Sequence, residues 1–462
     1  ISNNIMESQA RTHTLIRLQI DEIKPNRVTA MGLVLIFLIG LFFILSLIVP
    51  YPFFQYYGGE KGYCVDNLNQ YGNFSSNCSN PFNMSSNPVF MTRVSNVTGM
   101  NQLLYLTGVW RRSANYNPVA KETSFSMQFS VGVYEYNDQN SILQEISKQT
   151  THTVSIRCND DENFPCGDPV VVLIPELKYS NYLIVIEALN PSQYASSSFE
   201  LQGFFVNFID VHYTNYLFGL RYTFLCVSMI TVAIYLYRMR NLRAFSDWVI
   251  EQKAILVLSF LLILFNNPFY ALVILVPGEA SFFFSTLFTV NFCIYLYGFW
   301  WTTYQRIRLE NQQKATKTLT IWKGIFLLLL WVFVLTSLCL LNHFYLEDPG
   351  FDFDTEYQKT YLAFLIIAMI FCAFAALALL REIVYIFMNF KTRIWRQKLL
   401  FALSSFFIFA FFVFIFSGSF SSFNDNGSRV LLSIGIMNLY VFALQLLYVP
   451  TKRGIRETQE IE

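Results

Sequence analysis

Charged residues are scarce in this chain. Asp, Glu, Lys and Arg make up 14% of its 462 residues, whereas ordinary soluble domains contain about 25%. This deficit excludes a string of water-soluble domains of the same total length. Aromatic residues contribute 18% and many lie in long apolar runs, so the composition indicates a chain embedded in a bilayer.

Catalytic signatures are also missing. The polar region between residues 51 and 213 contains no G-x-S-x-G elbow, no HExxH pair and no supported pair of carboxylates. The sequence therefore predicts a non-enzymatic protein that needs no cofactor or metal. The net charge of +1 says little by itself about partners, and we expect no nucleic acid among them.

Eight apolar runs are long enough to cross a membrane, for which about 20 residues suffice. The first, Met31–Val49, has no charged residue and leads into bulky aromatic residues. A cleavable signal peptide would have a shorter apolar core and a small-residue cleavage site, so we interpret this run as an uncleaved anchor. The other seven spans are predicted at 216–237, 254–276, 282–303, 324–344, 360–387, 399–417 and 430–448.

The distribution of basic residues predicts the orientation. Lys and Arg cluster before residue 31, in alternate connections between spans and after residue 450, whereas the short opposite loops offer only Lys359 and Arg429. Basic residues in short loops favour the cytosolic side. Both termini are therefore predicted to be cytosolic, and residues 51–215 to be lumenal or extracellular.

The polar region reads as an antiparallel β-sandwich. Apolar and polar residues alternate at 103–110, 124–136, 152–157, 170–174, 182–187 and 198–209, and turn-forming residues separate the runs. Residues 55–100 lack this periodicity and read as an insertion, either ordered by disulfides or mobile. Four glycosylation sequons fall in this stretch, at Asn73, Asn77, Asn83 and Asn96.

Four cysteines lie in the polar region, and the other four lie inside spans. An oxidising compartment and short separations favour the disulfides Cys64–Cys78 and Cys158–Cys166. Zinc binding is the alternative, but neither pair has CxxC spacing.

The span at 254–276 contains the most unusual local sequence. Pro268 lacks an N–H and crowds the carbonyl of Leu264, which predicts a kink or an opening of the helix. Asn266 and Asn267 either satisfy the groups that this break exposes or line a polar cavity.

Other polar residues in the spans are candidates for the same cavity. Asn438 and Gln445 are seven residues apart and share a helix face that should point inward. Arg221 either reaches the membrane interface or contributes to the site. The complete set of candidate ligand-binding residues is Arg221, Asn266, Asn267, Pro268, Asn291, Asn438, Tyr440 and Gln445.

Three motifs together resemble the Wntless-like, GOLD-domain seven-transmembrane family, and most of all its transmembrane protein 181 branch. They are Asp247-Trp248 with Glu251-Gln252-Lys253, then Asn266-Asn267-Pro268-Phe269, and finally Asn438-Leu-Tyr440 with Tyr448-Val-Pro450-Thr-Lys452. The resemblance implies a GOLD-like sandwich on a seven-helix bundle that serves secretory traffic and cargo escort. In the Wntless branch, a lipidated secreted protein is held with its acyl chain in the bundle. One departure is the segment Leu217-Phe-Gly219-Leu-Arg221, where the family often has an acid ahead of the glycine.

The expected architecture is a polytopic α-helical membrane protein with a lumenal or extracellular antiparallel β-sandwich. Its parts are a cytosolic segment (1–29), the first transmembrane helix (30–50), the sandwich (51–213), a seven-helix domain (214–449) and a cytosolic tail (450–462).

The predicted function is a receptor of the secretory pathway or plasma membrane, with membrane lipids and a secreted or membrane protein cargo as partners and a bound lipid expected. The alternatives are a signalling receptor or channel-like protein, and a structural subunit of a larger membrane complex.

Overall fold

The computed structural model describes residues 34, 37–38, 53–57, 89–101, 103–112, 124–136, 142–157, 170–174, 177–189, 199–242, 245–275, 279–309, 317–347, 356–392, 395–419 and 426–449. Val34, Phe37 and Leu38 of the predicted anchor are helical. The rest of that run lies outside the described residues.

Two antiparallel four-stranded sheets form the domain that precedes the helices. One has the order β1-β8-β3-β6 and the other β2-β7-β4-β5. The strands are β1 (Phe53–Tyr57), β2 (Val89–Val94), β3 (Leu104–Arg112), β4 (Ser124–Tyr136), β5 (Ile142–Arg157), β6 (Val170–Ile174), β7 (Tyr182–Leu189) and β8 (Phe199–Ile209). The alternating runs identified in the sequence correspond to β3 to β8.

Apolar residues at alternate positions of these strands fill the sandwich core. Leu104 and Leu106 on β3 meet Phe129 on β4, Ile184 on β7 and Val206 on β8, and each of the five is 0% exposed. Alternation places such residues on one face of each sheet, where their burial removes apolar surface from water.

Two details of the predicted sandwich were wrong. Residues 55–100 are not an insertion throughout, because β1 and β2 at its two ends are edge strands paired with β8 and β7. Strand β5 begins at Ile142 rather than near residue 152. In its first part, Ile142, Gln144 and Glu145 are all exposed. Residues there do not alternate between buried apolar and exposed polar positions, so the sequence contains no strand pattern at this point.

The two ends of the sandwich that connect to membrane segments lie side by side. Phe53, which follows the predicted anchor, pairs with Ile209, which lies two residues before the start of the first long helix. Beneath them, Asn101 Nδ2 donates to the carbonyl of Ile209 at 2.9 Å, and Thr214 Oγ1 donates to the carbonyl of Met100 at 2.6 Å. The sandwich is thus hydrogen-bonded to the start of the bundle.

Seven helical segments of the predicted bundle are present among the described residues, and one of them is broken. They are α1 (Val211–Leu242), α2 (Ile250–Phe265) with α3 (Tyr270–Leu275), α4 (Glu279–Leu309), α5 (Lys317–Glu347), α6 (Glu356–Met388), α7 (Trp395–Ser419) and α8 (Asn426–Leu447). Helix α4 packs against α2, α5 and α6, whereas α8 packs against α1, α2 and α7.

Five of these segments are long and apolar enough to cross a membrane. They are 211–241, 250–272, 282–308, 321–344 and 361–388, and shorter apolar stretches occupy 397–409 in α7 and 433–447 in α8. The prediction of a sheet domain joined to a helical membrane bundle is therefore confirmed.

The predicted orientation, domain limits and disulfides stay predictions. Cys64, Cys78, Cys158 and Cys166 lie outside the described residues, as do the sequons at Asn73, Asn77 and Asn83. Asn96 is described and exposed.

Candidate functional site

The predicted break at Pro268 is present, and it separates α2 from α3. Helix α2 ends at Phe265, and Asn267 has a positive φ of 55°, a conformation that asparagine tolerates better than most residues. The N–H of Asn267 donates to the carbonyl of Leu264 at 2.8 Å, so the acceptor crowded by the proline ring remains satisfied.

Asn266 and Asn438 form one buried contact across the bundle. Each amide nitrogen donates to the other's Oδ1 at 3.0 Å, and Asn438 Nδ2 also donates to the carbonyl of Ile434 at 2.8 Å. Ser228 of α1 approaches Asn266 Nδ2 at 3.4 Å. Both asparagines are 0% exposed. The pair therefore connects the break in α2 to α8 and to α1.

Asn267 turns to a different neighbour. Its Nδ2 donates to Ser285 Oγ on α4 at 3.3 Å, while its Oδ1 accepts the N–H of Phe269 at 3.2 Å. The two adjacent amides thus satisfy groups around the break and attach it to separate helices, as one of the two sequence interpretations expects.

Tyr440 anchors a third polar contact, on the side of α8 that faces α4 and α7. Trp300 Nε1 donates to the Tyr440 hydroxyl at 2.8 Å, and Ser404 Oγ lies 2.8 Å from the same oxygen. Tyr440 is 0% exposed, so its hydroxyl is enclosed by protein.

Gln445 and Asn291 complete the candidate set on separate interfaces. Gln445 Nε2 donates to Ser259 Oγ on α2 at 2.8 Å. Asn291 faces α5, where its Oδ1 accepts Trp331 Nε1 at 2.7 Å. The structure therefore brings Asn266 and Asn438 together but distributes the other candidates over several helix pairs.

A further buried amide joins two of the motifs that were noted in the sequence. Gln252 Nε2 donates to the carbonyl of Tyr448 at 2.8 Å, and its Oε1 accepts the N–H of Val249 at 3.0 Å. Trp248 packs edge-on against Tyr235, with ring centroids 6.5 Å apart. The motif residues thus connect the start of α2 to the end of α8.

Sequence reasoning missed the buried carboxylate of Glu382. It is 1% exposed, and its oxygens lie 3.0 Å from Arg308 Nε and 2.8 Å from Arg381 Nη2. The Arg308 contact is an ion pair by distance without hydrogen-bond alignment. Lys323 donates to Gln305 nearby and lies over the ring of Trp301 at 4.3 Å. The sequence signal that could have identified it is the adjacent pair Arg381-Glu382 within the otherwise apolar run 360–387.

Three aromatic side chains on one face of α4 form hydrogen bonds to three different helices. Tyr297, Trp300 and Tyr304 are spaced to share that face. The Tyr297 hydroxyl donates to the carbonyl of Ala375 on α6 at 2.8 Å, and the Tyr304 hydroxyl lies 3.1 Å from Ser405 Oγ on α7. Both α6 and α7 therefore lie on the same side of α4.

Helices α6 and α7 have few close backbone approaches within the described residues. They are joined at their end farthest from the sandwich, where Phe390 packs against Phe401 with ring centroids 6.0 Å apart. Both helices border α4. We call the region between them the α6–α7 groove.

Two faces of α6 are occupied by its neighbours α4 and α5, and a third face remains for the α6–α7 groove. Ala368 and Ala375 are buried toward α4, and Phe371 stacks on Phe333 of α5 at 5.4 Å. On the other side of the alanine face from Phe371, α6 carries a stripe of residues at helical spacing. That stripe contains Leu365, Cys372, Ala376 and Ile383.

Among the described residues, no three His, Cys, Asp or Glu side chains are grouped so that they could hold a metal ion. The long apolar helices make the chain an integral membrane protein. A β-sandwich precedes its helical bundle, and the polar contacts of the bundle lie between helices.

Comparison with known proteins agrees with this class. The family described as "Wntless-like, transmembrane domain" matches residues 210–452, and the chain belongs to that family. It is also similar to Transmembrane protein 181 of Homo sapiens, with 24% identity over 407 residues that cover 84% of this chain and 81% of the human protein. The family resemblance drawn from the motifs is confirmed.

Proposed function

We propose that this protein is a non-enzymatic membrane receptor that binds a protein or lipid partner during secretory traffic. The observation that carries the proposal is that α6 and α7 approach each other closely at few points, while the apolar stripe of α6 beside them is partly or fully exposed. Membership of the Wntless-like family supports it.

An acyl chain fits this groove for a physical reason. Removing an acyl chain from water stabilises a complex by about 0.8 kcal/mol per CH₂ group, which benefits a lipidated partner that would otherwise expose its chain. Resident lipids gain less, because their tails already lie in an apolar medium. The groove therefore favours a partner that arrives from the aqueous side with an attached lipid.

The buried polar candidates have a supporting role in this proposal. Asn266, Asn438 and Tyr440 are 0% exposed and bonded to other helices. They hold α2, α4, α7 and α8 together, and a partner in the α6–α7 groove contacts chiefly apolar side chains.

Site-specific photo-crosslinking in cells tests the proposal. A photoreactive benzoylphenylalanine placed at Cys372 reports on the groove stripe, and the same group at Ile366, which is 43% exposed on the outward face of α6, is the matched control. We expect a discrete acylated protein or lipid at Cys372 and only bulk phospholipid at Ile366, identified by mass spectrometry.

Identical products at the two positions would contradict the proposal. Stable subunits crosslinked equally at both positions would favour the alternative of a structural component of a larger membrane complex.

A further inference from the structure

Arg221 points into the bundle rather than toward lipid. It lies on the face of α1 that carries Thr214, Leu217, Leu225 and Ser228, which are all less than 9% exposed. Their spacing of three or four residues places them along one stripe of the helix. A cation on this stripe faces the interior, on the side of the bundle nearest the sandwich.

The charge of Arg221 has no counterion among the described residues. Its Nε is buried without a hydrogen-bond partner, and its guanidinium carbon lies 4.7 Å from the ring centroid of Tyr270. A guanidinium has five N–H donors, which an aromatic ring alone does not satisfy. Charged side chains inside spans are costly unless they are paired.

The surroundings of Arg221 are held in place by neighbouring contacts. The Tyr222 hydroxyl donates to the carbonyl of Pro268 at 3.2 Å and lies 3.4 Å from the N–H of Ala271. These contacts attach the break and α3 to α1. Tyr270 at the start of α3 is 6% exposed, so the guanidinium faces a fixed ring.

An apolar layer separates Arg221 from the sandwich. Tyr213, Leu217, Tyr270 and Ile274 form a buried cluster with Met100 and Ile209 of the sandwich packed against it. Asp210, an acid at this junction, accepts the N–H of His212 at 3.0 Å near the first turn of α1 and lies eleven residues before Arg221 in the chain. An anion that reaches the guanidinium must therefore have an apolar part.

We propose that Arg221 binds the carboxylate or phosphate of an amphipathic lipid inside the sandwich-side half of the bundle. The oxyanion pairs with the guanidinium donors beside Tyr270, and the lipid tail lies among the apolar side chains of α1 and α3. This site is separate from the α6–α7 groove and does not depend on it.

Binding to the delipidated full-length protein in detergent micelles tests the proposal. The probes are oleate and dioleoyl phosphatidate, with methyl oleate as the neutral lipid and inorganic phosphate as the soluble anion. Native mass spectrometry should show both anionic lipids bound in preference to methyl oleate and inorganic phosphate. Arg221→Met should weaken their binding by about tenfold or more, since charge-assisted hydrogen bonds are lost. Arg238→Met, an exposed position on the same helix, should not.

A second measurement separates a lipid from an acid of the protein itself. If Arg221 lacks an internal counterion, delipidated Arg221→Met should melt no lower than the wild type, because the substitution removes an unpaired charge. A lower melting temperature would overturn the proposal in favour of an internal ion pair. Unchanged lipid binding in Arg221→Met, or equally tight binding of inorganic phosphate, would also overturn it. Crosslinking at Cys372 should be the same in Arg221→Met, which distinguishes failure of this site from failure of the α6–α7 groove.

Discussion

The side-chain amides of Asn266 and Asn438 bond to each other in both directions at 3.0 Å, although 172 residues separate them in the chain. Neither side chain is exposed, so no lipid or water replaces a lost partner. The pair joins the break between α2 and α3 to the last helix of the bundle.

Replacing one member of this pair should destabilise the bundle. Asn438→Leu leaves the Asn266 carbonyl oxygen without its donor, at a cost of about 1–2 kcal/mol for a buried unsatisfied group. Interhelical hydrogen bonds in membranes average less, at about 0.6 kcal/mol. The Asn266→Leu/Asn438→Leu double variant should therefore lose less stability than the sum of the single variants, as measured by unfolding in micelles. Additive losses would contradict the coupling, and Thr289→Ala, at an exposed position on α4, is the control.

Glu382 should matter more to stability than Glu251, although each pairs with arginine. Glu382 is 1% exposed, whereas the side chains of Glu251 and Arg306 are 18% and 47% exposed across their 2.8 Å contact. Glu382→Gln leaves Arg308 without its buried counterion and should cost roughly 2 kcal/mol, below the usual loss for a fully buried pair because Arg308 is partly exposed. Glu251→Gln should cost less than about 1 kcal/mol. Thermal melting of the two variants in micelles compares them, and equal losses would contradict this ranking.

Tyr182 should make the sandwich sensitive to alkaline pH. Its hydroxyl oxygen accepts the N–H groups of Lys178 at 2.8 Å and Tyr179 at 3.0 Å, and burial raises its pKa to about 12 from an ordinary value of 10.0. Because the folded pKa is the higher one, the stabilisation is complete below pH 10 and is lost as the pH rises from about 10 to about 12. Tyr182→Phe should remove this pH dependence and destabilise the sandwich at neutral pH.

The measurement for Tyr182 is the near-ultraviolet circular dichroism of the full chain as a function of pH. Tyr179→Phe is the matched control, since it removes a neighbouring hydroxyl and leaves both backbone donors bonded to Tyr182. If the two variants lost the same alkaline transition, the assignment to Tyr182 would be wrong.

Asn96 should carry a glycan. It is exposed, and the sequon ends at Thr98, whose Oγ1 donates to Asn101 Oδ1 at 3.1 Å. Asn96→Asp should abolish the mass that an endoglycosidase removes from this site, and it tolerates the observed φ of 60° better than most residues do. A chain that carries no sugar at Asn96 when expressed in a glycosylating host would count against the lumenal or extracellular orientation.

Much of the fold follows from short-range patterns in the sequence. The apolar runs predicted all seven helical segments after residue 210, and Pro268 predicted the break after α2. The alternation of apolar residues predicted β3 to β8. It missed β1 and β2, because neither Phe53–Tyr57 nor Val89–Val94 alternates between apolar and polar residues, and their partners β8 and β7 are distant in sequence.

The candidate site was less predictable. Sequence showed that Asn266, Asn438 and Tyr440 would be buried polar groups, because amides and hydroxyls inside apolar spans need partners. It did not show that Asn266 pairs with Asn438, or that Tyr440 contacts Trp300 and Ser404.

The sequence by itself determined the membrane segments, the helix break and the sandwich class, because hydrophobicity, the missing N–H of proline and strand alternation act over a few residues. Only the tertiary structure decided which helices meet. It also decided that Glu382 is buried between Arg308 and Arg381, and that α6 and α7 approach each other at few points. The inward position of Arg221 beside Tyr270 likewise depends on the tertiary structure. Such contacts depend on how helices far apart in the chain pack, and that information is not contained in any one segment.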